Sequence, residues 1–133
     1  GTTPGYNNFV DVRDVARGMI GAWQKGRRGE RYILAGYDMT YAAFFAKVAA
    51  LAGVKPPRLK MPHALASVVG RIGDLIEKTG REPIVNSTQI RYAYTDKFRF
   101  ASTKAARELG YTIGPIEHAI TDALDWFREH EML

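Results

Sequence analysis

Cysteine is absent from the 133-residue chain, which removes disulfides, thiolate zinc centres and cysteine nucleophiles together and agrees with a reducing compartment. No run of eighteen or more apolar residues occurs, so no transmembrane helix is expected. The opening residues also lack the basic, apolar and small-residue order of a secretory leader. A cytoplasmic protein with no membrane partner is the expectation. Internal repeats, low-complexity tracts and linkers are missing too, which predicts one domain over residues 1–133. Histidine is sparse: His63, His118 and His130 stand far apart with no second ligand at metal spacing, so no metal site is predicted.

What is present suits a packed domain. Hydrophobic residues make up 46% of the chain, enough to bury a core by packing alone. The net charge of +5 could serve an anionic partner, but the basic residues are scattered. Their densest group, Lys25, Arg27, Arg28 and Arg31, surrounds a glycine-containing turn, and no run of five like charges occurs. A solvated surface explains this better than a nucleic-acid footprint, although a standalone basic module gripping nucleic acid or an acidic protein remains the alternative function.

Gly1 to Asn8, with two glycines, a proline and two asparagines, predicts an irregular opening segment. Phe9 and Val10 suggest the end of a buried strand, so abrupt a start that the chain is expected to begin inside a larger protein. Asp11, with Asp14 three positions on, predicts a capped helix over Val12 to Lys25 whose core face is Val12, Val15, Ala16, Met19, Ile20 and Trp23. Gly26 should end it in a left-handed conformation. Arg31 to Ala35 has the strongest strand composition. Thr40 caps a predicted helix Tyr41 to Ala52, ended by Gly53. Pro56 and Pro57 force Val54 to Met61 to be extended, and a third helix follows from about His63 to Lys78.

That third helix repeats Leu65, Val68, Val69, Ile72, Leu75 and Ile76 at helical spacing, while Gly70 and Gly73 within it mark close packing. Asn86 or Ser87 caps a short helix to Tyr94, and Lys97 to Phe100 alternates like a half-buried strand. A helix from Lys104 to Leu109 closes at Gly110, and Gly114-Pro115 opens a last one carrying Ile116, Ile120, Ala123, Leu124 and Phe127 on one face. The predicted class is α/β, mostly helical with a few short strands.

Asn8-Phe9-Val10-Asp11-Val12-Arg13-Asp14-Val15-Ala16, then Gly29-Glu30-Arg31-Tyr32-Ile33-Leu34, then a helix opening at Thr40, resemble the C-terminal part of an extended short-chain dehydrogenase/reductase. Phe100 to Tyr111 and Ile116 to Phe127 resemble the last two helices of the NAD-dependent epimerase/dehydratase group, in its dihydroflavonol-reductase-like or sugar-epimerase-like branch. The resemblance implies the C-terminal lobe of a Rossmann-type enzyme whose nucleotide-binding half is absent. The family holds NAD or NADP at a glycine-rich turn, and no such triplet occurs here. Its catalytic Tyr and Lys, four positions apart, are missing too, since none of the seven tyrosines has that partner. No cofactor is therefore expected on this chain alone, no catalytic residue is assigned, and the fragment is expected to be inactive.

The resemblance further implies a small-molecule substrate, a nucleotide sugar or related carbonyl compound, held between two lobes. Tyr6, Asn7, Asn8 and the aromatic Tyr92 are the substrate-binding candidates it points to, with Asn8 standing where many sugar-nucleotide relatives carry arginine. Asp11 and Asp14 fit helix capping better than acid–base work. Exposed strand edge and apolar surface should promote self-association.

Overall fold

Side-chain caps set where three of the helices begin. Asp11 accepts a hydrogen bond from the Arg13 amide at 2.8 Å, Thr40 accepts from the Ala43 amide at 3.1 Å, and Asn86 and Gln89 form a reciprocal capping box. The computed structural model, which describes residues 2–58 and 61–132, accordingly contains β1 (Tyr6–Phe9), α1 (Val12–Lys25), β2 (Tyr37–Thr40), α2 (Tyr41–Ala52), α3 (His63–Glu77), α4 (Ser87–Ala93), α5 (Thr103–Leu109) and α6 (Ile116–Glu129). The expected ends of α1, α2 and α3 are met within a residue. Gly53 and Gly110 close α2 and α5 in the left-handed conformation. Gly26 closes α1 differently: its backbone is extended, and a Cβ there would lie 2.2 Å from the Ala22 carbonyl oxygen.

The strands depart from expectation. β1 and β2 form an antiparallel ribbon running from the Tyr6–Thr40 pair to the Phe9–Tyr37 pair, so residues 6–8 are strand rather than irregular. Arg31 to Ala35 belongs to no ladder among the described residues, although Tyr32 and Leu34 turn inward while Arg31 and Ile33 face out. Its branched and aromatic residues favour extension, but a strand also needs a partner edge. β1 instead pairs beyond Gly36, where the Asn8 amide group accepts from the Gly36 N–H at 2.8 Å and donates to Asp38 at 2.7 Å. Lys97 to Phe100 likewise forms no strand; the Phe100 N–H bonds the Asp38 side chain at 3.3 Å. Of the stretch expected to be extended from Val54 to Met61, residues 59 and 60 lie outside the described residues, as does Gly1.

Two apolar clusters close the interior. One joins Ala105, Leu109 and Tyr111 to Ala22, Tyr32 and Leu34, which seats α5 on α1. The other joins Ile116, Ile120 and Leu124 of α6 to Phe9, Phe44 and Val48, with the Phe9 and Phe44 rings stacked 4.0 Å apart. α3 packs on α4 through its small residues: a Cβ on Gly73 would lie 1.8 Å from the Val85 carbonyl oxygen, so only glycine lets that backbone approach.

Two predicted core faces are not buried by the described residues. On α1 it is Asp14 and Gly18 that turn inward, Gly18 against Leu34 and Tyr111, while Val12, Met19, Ile20 and the 85%-exposed Trp23 face out. On α3 the buried side is Ala66, Gly70 and Gly73, and the whole aliphatic stripe is open. In both helices the small side is the one that fits a neighbouring backbone closely, and it captured the contact.

Candidate functional site

The segment leading into β1 is sewn to three parts of the chain. Gly5 donates to the Ala93 carbonyl at 3.2 Å, Tyr6 to Thr95 at 2.9 Å, Tyr41 to Gly5 at 3.1 Å and Met61 to Thr2 at 3.2 Å. These bonds hold the opening segment across the start of α2, the start of α3 and the end of α4. Between them lies a pocket of about 510 Å³ lined by Thr2, Thr3, Pro4, Thr40, Ala42, Met61, His63 and Tyr94. The Tyr94 hydroxyl donates to the Met61 carbonyl at 2.5 Å, and the His63 ring meets the Tyr94 ring edge-on at 4.7 Å. Among the described residues, no lysine, arginine or carboxylate lines this pocket. Threonine hydroxyls, an imidazole and apolar walls suit an uncharged polar group such as a hydroxyl or carbonyl.

Of the predicted substrate residues, Tyr6, Asn7 and Asn8 lie on β1 and Tyr92 lies on α4, each with its own contacts. Tyr6 carries the Arg99 guanidinium over its ring at 4.0 Å, an arrangement worth about 0.5–1 kcal/mol at an exposed site. Asn8 is engaged at both ends of its amide by Gly36 and Asp38, so in this structure it brackets the two strands. Asn7 accepts from the Asn8 N–H at 3.0 Å and, with Asn8, Leu34 and Phe100, lines a smaller pocket of about 340 Å³. Tyr92 packs against Phe98, whose ring lies 5.3 Å away, and Phe98 in turn neighbours Phe100 at 6.4 Å. Tyr6, Asn7 and Asn8 follow one another along β1, and Phe98 and Phe100 link Tyr92 to the smaller pocket that Asn7 and Asn8 line; none of the four is in the lining of the pocket around His63 and Tyr94.

Sequence reasoning missed Thr2, Thr3, His63 and Tyr94 as a group. His63 invited only a metal test, and Tyr94 marked only the end of a short helix. Their meeting depends on α3 and α4 packing side by side, which no local pattern announces.

The acidic pair divides its labour. Asp11 caps α1 and receives the Arg13 guanidinium at 2.6 Å, which holds its carboxyl at about 2, below the ordinary 3.8. A depressed carboxyl contributes stability that is present above about pH 4 and lost as the pH falls toward 2. Asp14 makes no cap for its own helix: buried, it takes the Arg17 guanidinium and the Gly114 N–H, the latter at 2.9 Å, tying α1 to the chain before α6. In the basic group, Arg27 donates to Glu108 at 3.0 Å; hydrogen bonds from Arg107, then Tyr32 and Arg27, hold that carboxyl at about 2, below the ordinary 4.5. Lys104 bridges to Glu30 at 2.5 Å. Part of this cluster therefore stitches the loop after α1 to α5.

The start of α1 is not suited to the pyrophosphate of a nicotinamide dinucleotide. α1 follows β1 as the first helix of a dinucleotide fold follows its strand, but Asp11 occupies the helix N-terminus where a pyrophosphate would need free N–H groups and positive potential. Among the described residues no cluster of three His, Asp or Glu could hold a metal, and no helix is long and apolar enough to cross a membrane.

No protein-family profile matches the chain. It is 32% identical over 128 residues to a Synechocystis sp. protein with the provisional name dihydroflavonol 4-reductase, covering 92% of this chain and 37% of that protein. It is 35% identical over 133 residues to sterol demethylase protein B of Methylococcus capsulatus, covering 98% of this chain and 40% of the relative. Among solved structures, the crystal structure of gox2253 superposes with a TM-score of 0.74 at 34% identity, covering 100% of this chain and 41% of its own. A nucleoside-diphosphate-sugar epimerase from Pseudomonas aeruginosa superposes at 0.73 with 27% identity, covering 99% and 38%. The chain thus spans about two fifths of the length of the proteins it matches.

Proposed function

We propose that this chain, which corresponds to the C-terminal part of an extended short-chain dehydrogenase/reductase, forms the substrate-binding lobe of an NAD(P)-dependent epimerase, dehydratase or reductase acting on a nucleotide sugar or related carbonyl compound. The observation that carries this reading is the pairing of full coverage of the chain with partial coverage of both solved neighbours, at TM-scores of 0.74 and 0.73. What the chain leaves open agrees with it: the bare face of α1 and the unpaired extended stretch over residues 31–36 are the features a further lobe would cover.

In this reading NAD or NADP is held by the other lobe and supplies the hydride chemistry, while this chain binds and orients substrate. The pocket around Thr2, His63 and Tyr94 receives a sugar ring or carbonyl-bearing group, and Arg99, stacked on Tyr6, offers a positive charge beside the ribbon for an anionic substituent. Chemistry waits for the missing groups, so the chain alone is inactive. Fluorescence titration of the isolated chain with NADH and NADPH is expected to give no saturable binding at micromolar concentration. Micromolar affinity for either would overturn the assignment.

A further inference from the structure

From Ile116 to Phe127, a distance of about 16 Å along α6, Ala119, Ile120, Ala123 and Leu124 keep one side of the helix apolar for three turns. With Phe44, Phe45 and Val48 of α2 and the end of β1 opposite, this stripe borders a groove of about 340 Å³. That volume is within the range of small-molecule sites, roughly 300–1,000 Å³. The floor is closed by the chain itself, since Ile116, Ile120 and Leu124 are buried under Phe9 and Phe44. The mouth is open: Phe45 and Phe127, one on each helix, are 40 and 41% exposed, and Ala119 and Ala123 are too small to fill the space beside them. Among the described residues, no side chain lining the groove carries a polar atom.

Charge limits what can lie across that mouth. Lys47 and Glu117 join α2 to α6 at 2.5 Å, each 43% exposed. Arg13 and Asp122 join α1 to α6 at 2.7 Å beside Ala119 and Ala123, both more than half exposed. A protein surface laid over the groove, from a further lobe or a second copy, would take both ion pairs out of water, and the desolvation of such pairs can exceed their mutual attraction. A narrow chain lying along α6 covers the apolar stripe and leaves both pairs wet. We propose that this groove binds a single hydrocarbon chain, the tail of a free amphiphile whose polar head stays at the charged rim. Methylene groups match a lining without hydrogen-bonding side chains, whereas the hydroxyls of a sugar would be left there without partners. The groove shares no lining residue with the pocket around His63 and Tyr94, so it is a site apart from the one assigned to substrate.

Titration with 1-hexanol, 1-octanol and 1-decanol, followed by amide NMR shifts, is expected to show one saturable site with the shifts concentrated in α2 and α6. Affinity should rise about threefold to fourfold with each added methylene, the signature of a chain that is buried along its length. Ala123 is exposed, so Ala123→Trp, which fills the groove, and Ala123→Asp, which charges it, should both keep the helical spectrum and abolish binding. Ile72→Gln, on the bare stripe of α3, should leave it unchanged. In a protein that also carries the nucleotide-binding half, the same binding should persist. Its loss there would make the groove the seat of that lobe and overturn the proposal. Equally fatal are the absence of saturation, an affinity indifferent to chain length, and binding that survives both Ala123 variants or is lost in Ile72→Gln. Ala123-dependent flotation with phosphatidylcholine vesicles, in place of binding to the free alkanols, would assign the groove to a membrane surface instead and overturn it too.

Discussion

α1 and α6 are each fourteen residues long and each carries apolar side chains at helical spacing, yet they meet opposite fates. α6 buries Ile116, Ile120 and Leu124 against Phe9, Phe44 and Val48. α1 turns Asp14 and Gly18 inward and leaves Val12, Met19, Ile20 and Trp23 to solvent. An amphipathic pattern states that a face requires cover; it does not state that the cover comes from the same chain. α6 is held by apolar burial. α1 is held by its small-residue contact with α5 and by polar staples, Arg13 to Asp122 at 2.7 Å and Asp14 to Gly114 at 2.9 Å.

The sharpest way to break this contrast is to hollow out the closed side. Ile120, 5% exposed, fills the cluster under α6, and Ile120→Ala removes its buried methyl groups and leaves a cavity. The expected loss is about 2–4 kcal/mol, the range for such truncations, seen as a lower urea midpoint with an unchanged slope. A loss below about 1 kcal/mol would mean that α6 is no better packed than α1, and the comparison would fail.

Next in size is the polar hold on α1. Asp14→Ala leaves the Gly114 N–H without its acceptor and Arg17 without its anion, at an expected cost of about 1–3 kcal/mol. Hydrogen exchange should localise the change, with faster exchange at the Gly114 amide and in the first turn of α1 than in α6. Equal loosening of both helices would show that Asp14 supports the whole fold rather than one attachment.

Helix ends were legible because they are local chemistry. Asp11, Thr40, Gly53 and Gly110 act on residues within one turn, and each element they bound was expected where it lies. Pairing and facing were not legible, because they depend on residues far along the chain. The Asn8 amide finds Gly36 and Asp38 some thirty positions away, which moves the ladder from Arg31–Ala35 to Tyr37–Thr40. The candidate site divides the same way. Tyr6, Asn7 and Asn8 stood out in one stretch, whereas His63 and Tyr94 become neighbours only after α3 and α4 pack through Gly70 and Gly73.

The smallest expected effect is the most discriminating, because it asks whether the open face of α1 is open in solution. Trp23 is 85% exposed and would, by its size, be a core residue if the face were covered. Trp23→Glu removes no described tertiary contact and places a charge in water, so the isolated chain should change in stability by no more than about 0.5 kcal/mol. The local cost is minor: glutamate is a good helix former, but its charge near the negative end of α1 opposes the helix dipole. In a protein that also carries the nucleotide-binding half, the same charge would be forced into an apolar interface and should cost several times more. Thermal melts of both forms settle the matter. Similar, small shifts in the two would mean that the face of α1 is not the surface on which the other lobe rests; a large shift in the isolated chain would mean that this face is already covered, and α1 would then resemble α6 after all.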